Sequence, residues 1–147
     1  MPDAHVELVH FGVDVDFFRH VPPVSRERQS VIAVGNDRHR DIETLSLAML
    51  HLLALDPSLR VRAVGVPDRM RTVPGVEYLE RMSARDLRNY YVESDLGILA
   101  THDNLHGSGM TFLLEMQAMG RPVIYTDSPG LSDYVHPSWH EYGCPRA

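Results

Sequence analysis

At 147 residues, with 44% hydrophobic and 23% charged side chains, the chain can bury a core as one domain of ordinary soluble composition. A net charge of −6 opposes non-specific binding to nucleic acid or to an anionic membrane, while leaving room for a locally positive pocket. The single Cys144 excludes an internal disulfide framework and fits a reducing, cytoplasmic setting; no apolar run reaches the ~18 residues of a membrane span, and MPDAHVELVH lacks a signal-peptide core.

Strand-like and helix-like patterns alternate along the chain. His5 to Phe11 alternates like an exposed or edge strand and runs into a turn at Gly12-Val13-Asp14. Val15 to Gln29, with Pro22-Pro23 and mixed charges, reads as a linker, so residues 1–29 form a strand and inter-domain segment. Ser30 to Val34 is a short apolar run ending at Gly35, the pattern of a strand buried on both faces. Asp41 is a good N-cap for a helix whose apolar stripe is Ile42, Leu45, Met49, Leu52 and Leu53, ended by Asp56-Pro57. Val61 to Val66 and Val76 to Leu79 are the next strands, with Pro67 and Pro74 arguing for loop between them. Ser83 and Asp86 form a capping-box-like start for a helix through Leu87, Tyr90 and Tyr91. Leu96 to Ala100 and Val123 to Thr126 are two more short strands. Ser128 and Pro129 provide an N-cap and N1 pair for a helix reaching Val135. The order predicts a Rossmann-like α/β domain over 30–135: an open, mostly parallel sheet with helices on both faces. Residues 136–147 have no periodicity and read as an irregular, truncated tail.

The stretch Thr101 to Tyr134 carries the chemistry. His106-Gly107-Ser108-Gly109 is a turn of little bulk opening a helix over Met110 to Met119, with Gly120 where a left-handed C-cap belongs. A helix entered through small residues presents unpaired N–H groups and the positive end of its dipole, which suits phosphate. Glu115 lies four residues past Thr111 on the same face, placed to accept hydrogen bonds from a ribose.

Other constellations are weaker. His102 and His106, like His136 and His140, stand four apart, but ligand pairs at that spacing require a helix and both stretches read as loops, so no metal is expected. Ser108 lacks glycines two residues to either side, which a nucleophile elbow requires. Tyr90 and Tyr91 read as packing, and Arg60, Arg62, Arg69 and Arg71 as a solvated face without the interleaved aromatics of a nucleic-acid site.

These pieces, in this order, resemble the C-terminal domain of the group 1 (family 4-like) glycosyltransferases of the GT-B fold. The residues that carry the resemblance are Gly12-Val13-Asp14 with Phe17-Phe18, Val34-Gly35 with Arg40-Asp41, and Leu87, Tyr90, Tyr91, Ser94 and Asp95. Above all, Ser108 to Asp127 is similar to the family's S-G-x-T-x-L-L-E-A-M-A-x-G-R-P-V-I-x-T-D. The resemblance implies transfer of a sugar, with retention, from a nucleotide diphosphate sugar to an acceptor hydroxyl, without a bound metal or other cofactor. It implies a diphosphate held by the amides of Gly109, Met110 and Thr111 with Arg40 (Arg38 if the loop is offset), a ribose on Glu115, and a base near Met82. The family's first acidic residue of E-x7-E, which contacts the donor sugar, falls on Gly107. Asn104, His106 and Ser108 make up the rest of that loop, and a Glu at position 107 is expected to restore the sugar contact. The partner implied is a separate N-terminal, acceptor-binding domain; the alternative is a nucleotide-binding remnant without turnover.

Overall fold

The short apolar runs have the length of strands and lack polar alternation, so they can only be satisfied with both faces covered. The computed structural model, which describes residues 5, 7, 9–35, 37–68, 71–135 and 143–144, shows how. In chain order the elements are β1 (Ser30–Val34), α1 (Ile42–Leu55), β2 (Arg60–Val64), β3 (Val76–Leu79), α2 (Ala84–Val92), β4 (Leu96–Leu99), α3 (Met110–Ala118), β5 (Val123–Thr126), α4 (Pro129–Ser132) and β6 (Gly143–Cys144). The sheet order is β3-β2-β1-β4-β5-β6, every described pairing is parallel, and Val31 faces Val61 on one side and Leu96 on the other.

Strand alternation sorts the core into two layers. Val31, Ala33, Val61, Ala63 and Ile98 meet Leu45 and Met49 of α1. Ile32, Val64 and Leu99 meet Tyr91 of α2, Phe112 and Met116 of α3, and Leu131 of α4 on the opposite face. The helices that follow β1 and β4 therefore leave adjacent strands toward opposite faces. This is the topological switch point, and it opens a crevice at the carboxyl ends of those strands. Gly97 in β4 brings α3 close to the sheet, because a Cβ there would meet Phe112 Cζ at 2.9 Å.

Local signals explain most boundaries. Asp41 caps α1 by accepting the Thr44 amide at 2.9 Å and its hydroxyl at 2.7 Å. Ser83 caps α2 through the Asp86 amide, 3.2 Å away. Gly120 takes a φ of 72° just past α3, a conformation that side chains disfavour.

Four expectations are corrected. Val9 to Phe11 form no strand and, with Val9 84% and Phe11 48% exposed, alternation there has no sheet edge to pair with. The hydrogen-bonded turn falls later, where the Asp14 carboxylate accepts the amides of Asp16 and Phe17 and its carbonyl that of Phe18; Phe18 is thereby packed into the α2–α3 core layer. Helix α4 stops at Ser132, and Ser128 makes no side-chain cap bond. Finally, the tail supplies β6, two residues paired with Tyr125 and Thr126, too short to show a period. His136 and His140 lie outside the described residues, as does Arg69.

Candidate functional site at the switch point

The loops leaving β1 and β4 are tied together across the crevice. Arg40 and Thr101 form an antiparallel bridge, the His102 amide donates to His39 O at 2.8 Å, and that of Asp41 to Ala100 O at 3.1 Å. This pairing aims the Arg40 side chain inward, between two glycines. A Cβ at Gly35 would lie 2.7 Å from Arg40 Nη2, and one at Gly109 would collide with Arg40 Nη1 and with Leu99 Cδ1. Both glycines also hold positive φ, 115° and 92°. The missing side chains are the slot that the guanidinium fills.

Among the described residues, the buried Nε and Nη1 of Arg40 have no hydrogen-bond partner. Burial pulls the guanidinium down to about 10, against the favourable influence of Asp37 and then Tyr91. A buried cation with idle donors costs free energy that a bound anion would recover. Beside it, Gly109 is the left-handed residue from which α3 starts. The Met110 amide donates to Gly107 O at 2.9 Å, so it is already engaged. That leaves the amides of Gly109 and Thr111 without a backbone acceptor among the described residues.

Glu115, one turn into α3, accepts from the Tyr91 hydroxyl at 2.8 Å. Burial raises the Glu115 carboxyl above its ordinary range, partly countered by that bond. Tyr91 is fully buried, and its hydroxyl is pushed up first by burial and then by Glu115, with Arg40 acting in the opposite sense. Arg40, Tyr91 and Glu115 are thus one electrostatic unit. Tyr91 behaves as the packing residue expected from sequence, but its hydroxyl role was not legible; it depends on α2 lying against α3.

Next to this unit is a cavity of about 190 Å³ walled by Val34, Gly35, Val64, Gly65, Met82 and Leu87, with Arg81 at its edge. Gly35 is common to this cavity and to the Arg40 slot. A larger hollow of about 660 Å³ lies at the other end of the sheet, between Arg26, Arg28, Arg60 and Arg62. Its cations are largely engaged: Arg62 by Glu77 and Glu93, Arg60 by Glu77, and Arg26 by the carbonyls of Val92 and Glu93. The basic cluster read as a solvated face is therefore ion-paired in part, with Arg62 only 2% exposed.

The donor-sugar loop is more committed than its sequence suggests. Asn104 uses both ends of its amide, accepting the Ser108 N–H and donating to His102 O, each at 2.9 Å. The Ser108 hydroxyl donates to Asp37 Oδ1 at 3.0 Å, which gives it no histidine base. His106 faces Asp37, and Arg38 is exposed with its Nε on His39 Nε2, so Arg40 rather than Arg38 enters the slot. Gly107 has a φ of 68°, and a Cβ there would lie 3.0 Å from Gly130 O. A Glu at 107 would therefore have to adopt a left-handed backbone that side chains disfavour, close against Gly130.

Residues 18–146 match the family of group 1 glycosyl transferases. The chain belongs to that family. No curated protein matches the chain in sequence. Among solved structures, sucrose-phosphate synthase from Thermosynechococcus elongatus is similar at a TM-score of 0.66 and 23% identity, over 91% of this chain and 37% of that one. The C-terminal domain of the glycosyl transferase LpcC from Francisella tularensis aligns at 0.61 and 14%, over 92% and 80%. Anabaena HepE, solved in complex with UDP and glucose, aligns at 0.61 and 14%, over 88% and 40%. The chain thus spans under half the length of sucrose-phosphate synthase and HepE and most of the LpcC C-terminal domain, and these likenesses establish the shared fold. No helix among the described residues is long and apolar enough to cross a membrane.

Proposed function

We propose that this chain is the donor-binding half of a glycosyl transferase, holding a nucleotide diphosphate sugar at the carboxyl ends of β1 and β4. An acceptor-binding domain forms the facing wall, and the sugar passes to an acceptor hydroxyl with retention. The observation that carries this reading is the Arg40 guanidinium, buried at the switch point with two idle donors. Negative charge grows on the β-phosphate as the glycosidic bond breaks, and a fixed guanidinium with helix-terminal amides stabilises that charge without reorganisation. Arg40 and the amides of Gly109 and Thr111 take the diphosphate. The Glu115 carboxylate, oriented by Tyr91, accepts from the ribose hydroxyls. The base enters the cavity beside Met82, with Gly35 letting the chain approach the nucleotide closely. HepE was solved with UDP and glucose, which supports UDP as the first nucleotide to test.

The test is calorimetric titration with UDP, GDP and ADP in EDTA. One nucleotide is expected to bind saturably, and Glu115→Ala to weaken it by about 10–100-fold, the cost of a charged acceptor. A folded chain that binds none of the three overturns the proposal. One observation favours a second reading, nucleotide binding without transfer: position 107, where the family resemblance implies a sugar-contacting acid, is a glycine packed closely against Gly130. On that reading a sugar nucleotide binds no tighter than the bare nucleotide.

A further inference from the structure

The sequence spacing of histidines argued against a metal, but the fold assembles a different set. Asp37 and His39 come from the β1–α1 loop and His106 from the β4–α3 loop. One ligand atom from each lies within 4.8 Å of the others. The imidazoles of His39 and His106 are 4.6 Å apart between centroids, and His106 Nε2 is 3.8 Å from Asp37 Oδ1. We infer that these three side chains form a divalent-metal site on the rim of the crevice, taking a borderline ion such as Zn²⁺, Co²⁺ or Ni²⁺.

The chemistry of the set fits. Two imidazoles and a carboxylate suit late first-row ions better than Mg²⁺ or Ca²⁺, which prefer oxygen alone. Bonds of about 2.0–2.1 Å place tetrahedral ligand atoms about 3.3 Å apart, so the triplet closes by small rotations of side chains already half in solvent. Asp37 is prepared as a ligand. Its Oδ1 accepts the His39 amide at 2.8 Å and the Ser108 hydroxyl at 3.0 Å, the outer hydrogen bonds that orient metal carboxylates. The His39 amide foremost holds its carboxyl below the usual range, and His106 and His39 add to that effect. His39 Nε2 faces the Arg38 Nε donor at 3.1 Å and so presents a lone pair, the form that a metal requires. Arg38 is exposed and can leave to water, so the ion takes the place of that guanidinium. Three protein ligands leave a coordination position open. The site stands apart from the nucleotide reading, since it needs no nucleotide to form.

The experiment is titration of the untagged full chain with Co²⁺, followed by visible absorption and then displacement by Zn²⁺, without nucleotide. One equivalent is expected to bind. His39→Ala and His106→Ala should each weaken it by about tenfold or more, and His51→Ala, on the exposed side of α1, should leave it unchanged. Arg38→Ala should tighten it by freeing His39 Nε2, which keeps the test decisive if a histidine variant fails to fold. Absence of binding overturns the inference. So does binding that survives loss of either histidine or that weakens in Arg38→Ala. Because the nucleotide titrations are run in EDTA, failure here is distinct from failure of the donor-site reading.

Discussion

Replacing Arg40 with Met is expected to move stability and binding in opposite directions. The guanidinium sits between Gly35 and Gly109 with Nε and Nη1 unpartnered, and burial holds it at about 10 instead of its ordinary value. That depression corresponds to a penalty of about 3 kcal/mol on the charged form in the folded chain. Both folded and unfolded forms are protonated at pH 7, so the full penalty is present there. It is relieved only as pH rises above about 10, where the folded state releases its proton first. A methionine, uncharged and two atoms shorter, occupies the stem of the slot and leaves its end empty, so the ligand-free chain should gain up to about 3 kcal/mol, an upper bound before packing losses. The same change removes a charged hydrogen-bond donor from the diphosphate, worth about 1.5–3 kcal/mol, or roughly 10–150-fold in affinity. Thermal melts without ligand and calorimetry with UDP, GDP and ADP read the two effects separately. A variant that is less stable without ligand and binds nucleotide as well as the parent would refute the reasoning, because Arg40 would then be a structural cation.

Three further outcomes follow from neighbouring contacts. Tyr91→Phe removes the 2.8 Å bond to Glu115, so nucleotide affinity should fall by roughly 2–12-fold, from about 0.5–1.5 kcal/mol. Since that bond lowers the Glu115 carboxyl, the loss of affinity on acidification should begin at higher pH in the variant, and an unshifted pH profile would separate Tyr91 from the site. Gly107→Glu should lower stability by about 1–3 kcal/mol on its left-handed backbone and give no gain in sugar-nucleotide affinity over bare nucleotide, checked by melting and titration. Asp41→Ala should cost about 1 kcal/mol through loss of the α1 cap. Burial opposes ionisation of Asp41, but the Thr44 amide and hydroxyl outweigh it and its carboxyl is held low. That contribution is therefore complete above the ordinary carboxylate value and fades as pH falls through the lowered one. Denaturant melts of parent and variant should converge in acid.

What was legible in the sequence was local. Asp41 before an apolar stripe, Ser83 followed by Asp86, and Gly120 after an apolar helix are self-contained signals, and each marks a boundary in the structure. The apolar strands β1 and β4 announced themselves as short runs without polar alternation, and both are buried along nearly their whole length. β6 did not, because a two-residue strand carries no period and is defined only by its partner. The resemblance pointed to Arg40 over Arg38, but its reason is three-dimensional, lying in two glycines far apart in sequence. Tyr91 with Glu115, and Asp37 with His39 and His106, were missed for the same cause. Each group spans separate loops or helices that meet only once the sheet order is set. The committed amides of Asn104 and Met110 show the converse: residues in the right place by motif whose hydrogen bonds are already taken by the fold.

The most direct test of the donor site is nuclear magnetic resonance of the ¹⁵N-labelled chain during titration with UDP, GDP and ADP. With the nucleotide that binds, the largest shifts are expected at the amides of Gly35, Gly109 and Thr111 and at the Arg40 Nε–H, which should sharpen as it gains an acceptor. Shifts that cluster instead around Arg26, Arg60 and Arg62 at the opposite end of the sheet would contradict it.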